Sequence, residues 1–364
     1  METFSNLPEL VHRGLPRSLD VVKLNEDILG NRLTIKGDFI RRQEKYTTHF
    51  SGDQQIIIGK SEQFIQDFYN QKLSDLGIPR DSDRKFPRSI YLRKMPHKSM
   101  AGGYSAILGL IVIEANPEKN DLLVIATANA HENSHAVAKT KNFLFWNEKN
   151  GQIQLEETET VGMPSVVRRK DKAILIEEGL SEMDTADFFT KFADKIDHRV
   201  LEKRQGLRQN KIIKSILKRL NNSIYGRVDF DQALPYIWSE KYILPILGIK
   251  VSLPYFGEQN FKVLRVMQEL CRTVGYETSD SKKQEVDFVK VGRDLLDKSR
   301  IAGSREGLEK IVQIFGFQAR KILDIDKDFK GIDSVMKLIR QKQKDLGLMN
   351  LFGAGERIRT STSY

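Results

Sequence analysis

Residues 131–135 read His-Glu-Asn-Ser-His. On a helix, positions i and i+4 share a face, so the His131 and His135 imidazoles can aim at one metal ion. Glu132 then projects beside that ion, where its carboxylate can take a proton from an activated water. Only 6 histidines occur in 364 residues, which makes this pairing informative. A catalytic zinc site needs a third protein ligand and one open position. The single cysteine, Cys271, excludes an internal disulfide and any cysteine-based zinc site. The next carboxylates lie in residues 174–183, ILIEEGLSEM, where Glu177 and Glu178 precede Gly179 and Glu182 stands four residues after Glu178.

This arrangement resembles the gluzincin-type zinc metallopeptidases, the group of thermolysin-like and aminopeptidase-type enzymes. In them a second helix supplies a glutamate ligand, and an acidic residue one turn later hydrogen-bonds a zinc-bound histidine. The resemblance implies one Zn2+ per chain, held by His131, His135 and Glu178. It makes Glu132 the general base and gives Glu182 the role of orienting a ligand histidine. Glu178 is preferred over Glu177 because its i+4 partner is acidic, whereas that of Glu177 is Ser181. An oxyanion-stabilising Tyr or His is usual in such enzymes, and Tyr236 is a possible donor. The resemblance spans about residues 104–192 and implies that the strand before the histidine helix lies along the cleft and pairs with an extended substrate. The stretch from His135 to Glu178 is longer than in the aminopeptidase-type motif, with residues 143–170 forming a β insertion.

These side chains need two helices and a sheet to position them. The apolar run YSAILGLIVIE, residues 104–114, reads as one strand, and residues 89–95 as another. Asn116-Pro117 reads as a helix start, with the helix running to about residue 139. Short β-type runs follow at 143–146, 152–155 and 161–167. A second helix is expected from about Ala173 past His198. Upstream, a strand is expected at 54–58, a helix at 61–76 capped by Ser61, and a loop over 77–88. Downstream the pattern is mainly helical, with helices expected at 211–220, 259–274, 285–300, 305–315 and 332–346. The fold class is α+β: a zincin-like core followed by a mainly helical C-terminal region. The expected organisation is a mixed N-terminal region at 1–85, a catalytic core at 86–205, a helical region at 206–350 and a disordered tail at 351–364. That tail resembles the product of a reading frame running into a transfer-RNA gene, which suggests a bacterial source.

Composition narrows the function classes. The apolar fraction of 40% supports a packed core. No signal peptide or membrane-length apolar run is apparent, so a cytoplasmic location without a membrane partner is expected. The formal charge is +10, of which residues 131–364 carry +8. The densest basic run, 204–219, interleaves apolar residues at helical spacing and carries no nucleic-acid-reading motif. The leading expectation is a zinc-dependent metallopeptidase acting on a peptide or protein. The alternatives are a gluzincin-like binding or regulatory protein without peptidase activity, and a nucleic-acid-associated protein using the 204–219 segment.

Overall fold

The computed structural model describes residues 9–13, 48–79, 86–93, 102–105, 109–116, 120–138, 140–147, 152–160, 173–226, 228–244, 249–280, 286–325 and 328–348. The expected run at 161–167, Pro117, Lys139, residues 80–85 of the expected 77–88 loop and the 351–364 tail lie outside them, as do most of residues 1–47. The chain is mostly helical with small sheets, an α+β class.

Strand β1 (Glu9–Arg13) is followed by helix α1 (Gly52–Asp75). Residues 54–58 are therefore helical rather than a strand. Their β-branched run has β propensity, but a capping box overrides it: the Ser51 hydroxyl accepts from the Gln54 amide, and the Gln54 side chain accepts from the Ser51 amide at 3.0 Å. Ser61 is not the cap; it lies inside the helix and donates to the Ile58 carbonyl at 2.7 Å.

Strands β2 (Arg88–Leu92), β3 (Gly102–Ser105) and β4 (Leu110–Glu114) form one sheet in the order β2-β4-β3. β4 is parallel to β2 and antiparallel to β3. The expected single strand at 104–114 is thus two strands. Gly109 sits at φ +55°, a left-handed conformation that breaks the run. β4 is buried on both sides: Ile111 and Ile113 pack with Ile58 of α1, while Leu110 and Val112 pack with Leu92. Such a strand reads as a continuous apolar run rather than an alternating one.

Helix α2 (Leu122–Val137) carries the two histidines. It begins at Leu122, capped by Asp121, whose carboxylate accepts from the Val124 amide at 2.8 Å. Asn116 instead accepts at its carbonyl from the Asn120 amide, so the helix starts later than Asn116-Pro117 suggested. A hairpin of β5 (Thr140–Asn147) and β6 (Gln152–Thr160) follows, with β1 pairing parallel to β5. Helix α3 (Ile174–Gly206) crosses α2 and continues past His198 after a kink at Asp197, whose dihedrals are non-helical. There the Asp197 side chain accepts from the Val200 amide, restarting the helix locally.

The later helices are α4 (Lys211–Asn221), α5 (Glu258–Thr278), α6 (Phe288–Ala302), α7 (Glu306–Phe315) and α8 (Ile332–Asp345). The hairpin of β7 (Ile237–Leu244) and β8 (Ile249–Phe256) interrupts them and was not expected. One apolar core runs from Ile65 and Leu73 through Leu180, Phe188 and Leu264 to Ile339, so the downstream helices pack against the two site helices. Two glycine contacts set the spacing. A Cβ on Gly179 would lie 2.7 Å from Met267 Cβ, which brings α3 tight against α5. A Cβ on Gly275 would lie 1.9 Å from the Phe288 carbonyl oxygen, and one on Gly292 equally close to that of Cys271, so α5 and α6 meet backbone to backbone.

Candidate metal centre

The crossing of α2 and α3 brings together His131, His135 and Glu178. Three contacts hold the crossing. Ser134 donates to Asp184 Oδ2 at 2.6 Å, Tyr69 donates to the Ala130 carbonyl at 2.7 Å, and Lys72 pairs with Asp184. His131 Nε2 lies 3.2 Å from Glu178 Oε2 and 3.2 Å from His135 Nε2. His135 Nε2 lies 3.6 Å from Glu178 Oε1. One ligand atom from each residue falls within 4.8 Å of the others.

The outer ring edges explain this convergence. His135 Nδ1 is 3.1 Å from Glu177 Oε1 and 3.4 Å from Ser181 Oγ. His131 Nδ1 is 3.6 Å from Glu182 Oε1 and 3.4 Å from Thr185 Oγ1. A carboxylate accepts and cannot donate, so a proton on each Nδ1 would be met by Glu177 or Glu182 and would leave both Nε2 atoms free to ligate a metal. The two Nε2 atoms stand 3.2 Å apart, close enough to share one cation. Donors about 2.0–2.1 Å from a tetrahedral zinc stand about 3.3 Å apart, so the two imidazoles and Glu178 fit such an ion.

Titration behaviour points the same way. Burial works against a charged His131, but the hydrogen bond to Glu178 and the charges of Glu182 and Glu178 outweigh it and raise its pKa to about 9. His135 is likewise lifted well above the usual histidine value, burial being overcome by Glu178 and Glu177. Glu178 is held far below the ordinary carboxylate range by the two imidazoles, despite its burial. Carboxylates crowd this pair of rings, which makes it a site for positive charge.

Glu132 is 9% exposed and sits under the edge strand β3. A Cβ on Gly102 would come 3.0 Å from Glu132 Oε1, so glycine there leaves room for the carboxylate. Burial raises the Glu132 pKa, which makes it a better proton acceptor near neutral pH. Glu182 is raised by burial too and accepts from Asn260 Nδ2 at 2.5 Å.

Glu177 lies behind His135 at Nδ1, not at the convergence point of the Nε2 atoms. Tyr236 is buried and its hydroxyl donates to the Glu182 carbonyl at 3.3 Å, so it braces Glu182. His198 is exposed between Asp194 and Glu202, away from the group. Sequence reasoning missed Glu177 as an orienting group, along with Asn260 and Arg300. The hydroxyls of Ser181 and Thr185 carried a usable signal, since they continue the i+4 row from Glu177. Asn260 and Arg300 reach the site from distant segments and had none.

No family model, curated protein or solved structure matches this chain.

Proposed function

We propose that the protein is a zinc-dependent peptidase of the gluzincin type, with a zincin-like core. The observation that carries this reading is the convergence of His131 and His135 of α2 with Glu178 of α3 within 4.8 Å, Glu132 being on the same helix as the two histidines. His131, His135 and Glu178 would hold the zinc, and Glu177 and Glu182 would keep the ring nitrogens in the ligating tautomer. Zinc bound there supplies the Lewis acidity that activates a water and polarises a peptide carbonyl.

Every other part of the chemistry belongs to the chain. Glu132 accepts the proton as the water attacks and passes it to the departing amine. Edge strand β3, antiparallel to β4 and packed on Glu132, offers its outer side to an extended peptide by strand addition. The buried setting of Glu132 strengthens these electrostatic effects.

Metal analysis of the purified protein beside His135→Ala tests the site. About one zinc per wild-type chain, lost in the variant, is the expected result. A wild type without stoichiometric zinc would sink the reading. A protease assay with and without chelator then separates a peptidase from a silent metal-binding relative.

A further inference from the structure

We propose that Arg300 is a positioning residue of the metal centre, acting through Glu177 on His135. The inference rests on the zinc site argued above and adds a part contributed by the helical C-terminal half.

Arg300 comes from α6 and is completely buried. Its Nη1 lies 3.5 Å from Glu177 Oε1, the same oxygen that stands 3.1 Å from His135 Nδ1. Nη1 also donates to Ser181 Oγ at 3.3 Å, and that hydroxyl is 3.4 Å from His135 Nδ1. Two parallel links thus run from one guanidinium nitrogen to one ring nitrogen. The other nitrogen, Nη2, donates to Ser134 at 3.0 Å, Asp184 at 3.2 Å and Asp297 at 3.1 Å. These contacts fix the guanidinium to both site helices and to its own helix. The planar fork of arginine is what lets one cation serve the two directions.

The two histidines are braced differently. The carboxylate behind His131, Glu182, is held by the neutral Asn260. The carboxylate behind His135 is held by a buried cation. Buried Arg300 Nε and Glu177 Oε2 have no hydrogen-bond partner among the described residues. A pairing that leaves such groups unsatisfied is a poor way to gain stability. It is a sound way to fix a carboxylate in one place, and the place is His135 Nδ1. Without the guanidinium, Glu177 loses its anchor and His135 loses the acceptor that fixes its ring.

The test is a double-mutant cycle read by zinc affinity against a competing chelator. It uses the full chain, Glu177→Gln, Arg300→Met and the double variant, with folding followed by circular dichroism. Each single variant is expected to bind zinc roughly 10–100-fold more weakly. Because Arg300 acts through Glu177 as well as through Ser181, the loss in the double variant is expected to fall well short of the sum of the two single losses. Fully additive losses, or folded single variants within about twofold of wild type, would overturn the proposal. The visible spectrum of bound Co2+ adds a readout that loss of stability alone does not move. It is expected to change in the same way in Glu177→Gln and in Arg300→Lys, which keeps the cycle decidable if Arg300→Met does not fold. A Co2+ spectrum like that of wild type in both would also overturn it. Tight zinc binding by wild type with unaffected variants defeats only this inference, whereas no zinc binding by wild type defeats the site itself.

Discussion

Zinc uptake should depend steeply on pH, because metal and proton compete for the same ring nitrogens. In the metal-free protein His131 titrates at about 9, raised by Glu178 and Glu182 against the effect of burial. A metal ion binds only the unprotonated imidazole. At pH 7 the proton must be displaced across two pH units, at a cost of about 3 kcal/mol. Between pH 6.5 and 8.5 each unit of pH should therefore raise the apparent zinc affinity about tenfold from His131 alone. His135 is raised in the same direction and adds a second competing proton, so the slope lies between about one and two decades per unit. Ordinary histidines would give a curve that flattens above pH 7, since their pKa is about 6.5. The assay is competition with a chelator of known pH dependence across that range. A flat affinity from pH 7 to 8.5 would refute the claim that carboxylates load these imidazoles with protons.

The same shifts act on stability. A raised folded-state pKa means that the His131 contribution is present below pH 6.5 and is lost as pH rises through about 9, so the metal-free protein should melt at a lower temperature at pH 9.5 than at pH 7. Glu178, whose pKa is lowered, contributes above the usual carboxylate value and is lost in acid, which closes the window on the other side. Glu132→Gln should retain stoichiometric zinc and lose peptidase turnover; measurable turnover in pure, zinc-loaded variant would remove Glu132 from the role of base. Gly179→Ala should destabilise by about 1–3 kcal/mol in a denaturant titration, because its Cβ meets the base of the Met267 side chain at 2.7 Å. A gain in stability, as helix propensity alone would give, would refute that contact. Asp184→Asn should cost about 3–5 kcal/mol in the same titration, since Asp184 is fully buried and pairs with Lys72, Arg293 and Arg300.

Much of the local structure was legible because its causes are local. The i, i+4 histidines demanded a helix, and residues 122–137 are one. The apolar spacing after Ala173 marked a long helix, and α3 runs to Gly206. Errors fell where two local signals competed. At 54–58 the β-branched run suggests a strand, yet the Ser51–Gln54 capping box starts a helix there. At 104–114 an unbroken apolar pattern hid the turn at Gly109, whose effect depends on a dihedral and not on polarity.

By itself the sequence determined which side chains share a helix face: His131 with His135, and Glu178 with Glu182. Periodicity is enough for that, because the helix geometry is the same everywhere. Only the tertiary structure decided which carboxylate stands where. Adjacent on one helix, Glu177 and Glu178 point about 100° apart. The crossing of α2 and α3 aims Glu178 at the two Nε2 atoms and leaves Glu177 at His135 Nδ1. That crossing is held by the buried hydrogen bond from Ser134 to Asp184. Arg300 and Asn260 arrive from helices 119 and 78 residues away from the residues they hold, Ser181 and Glu182. No spacing rule reaches that far, since the docking of those helices depends on the whole core.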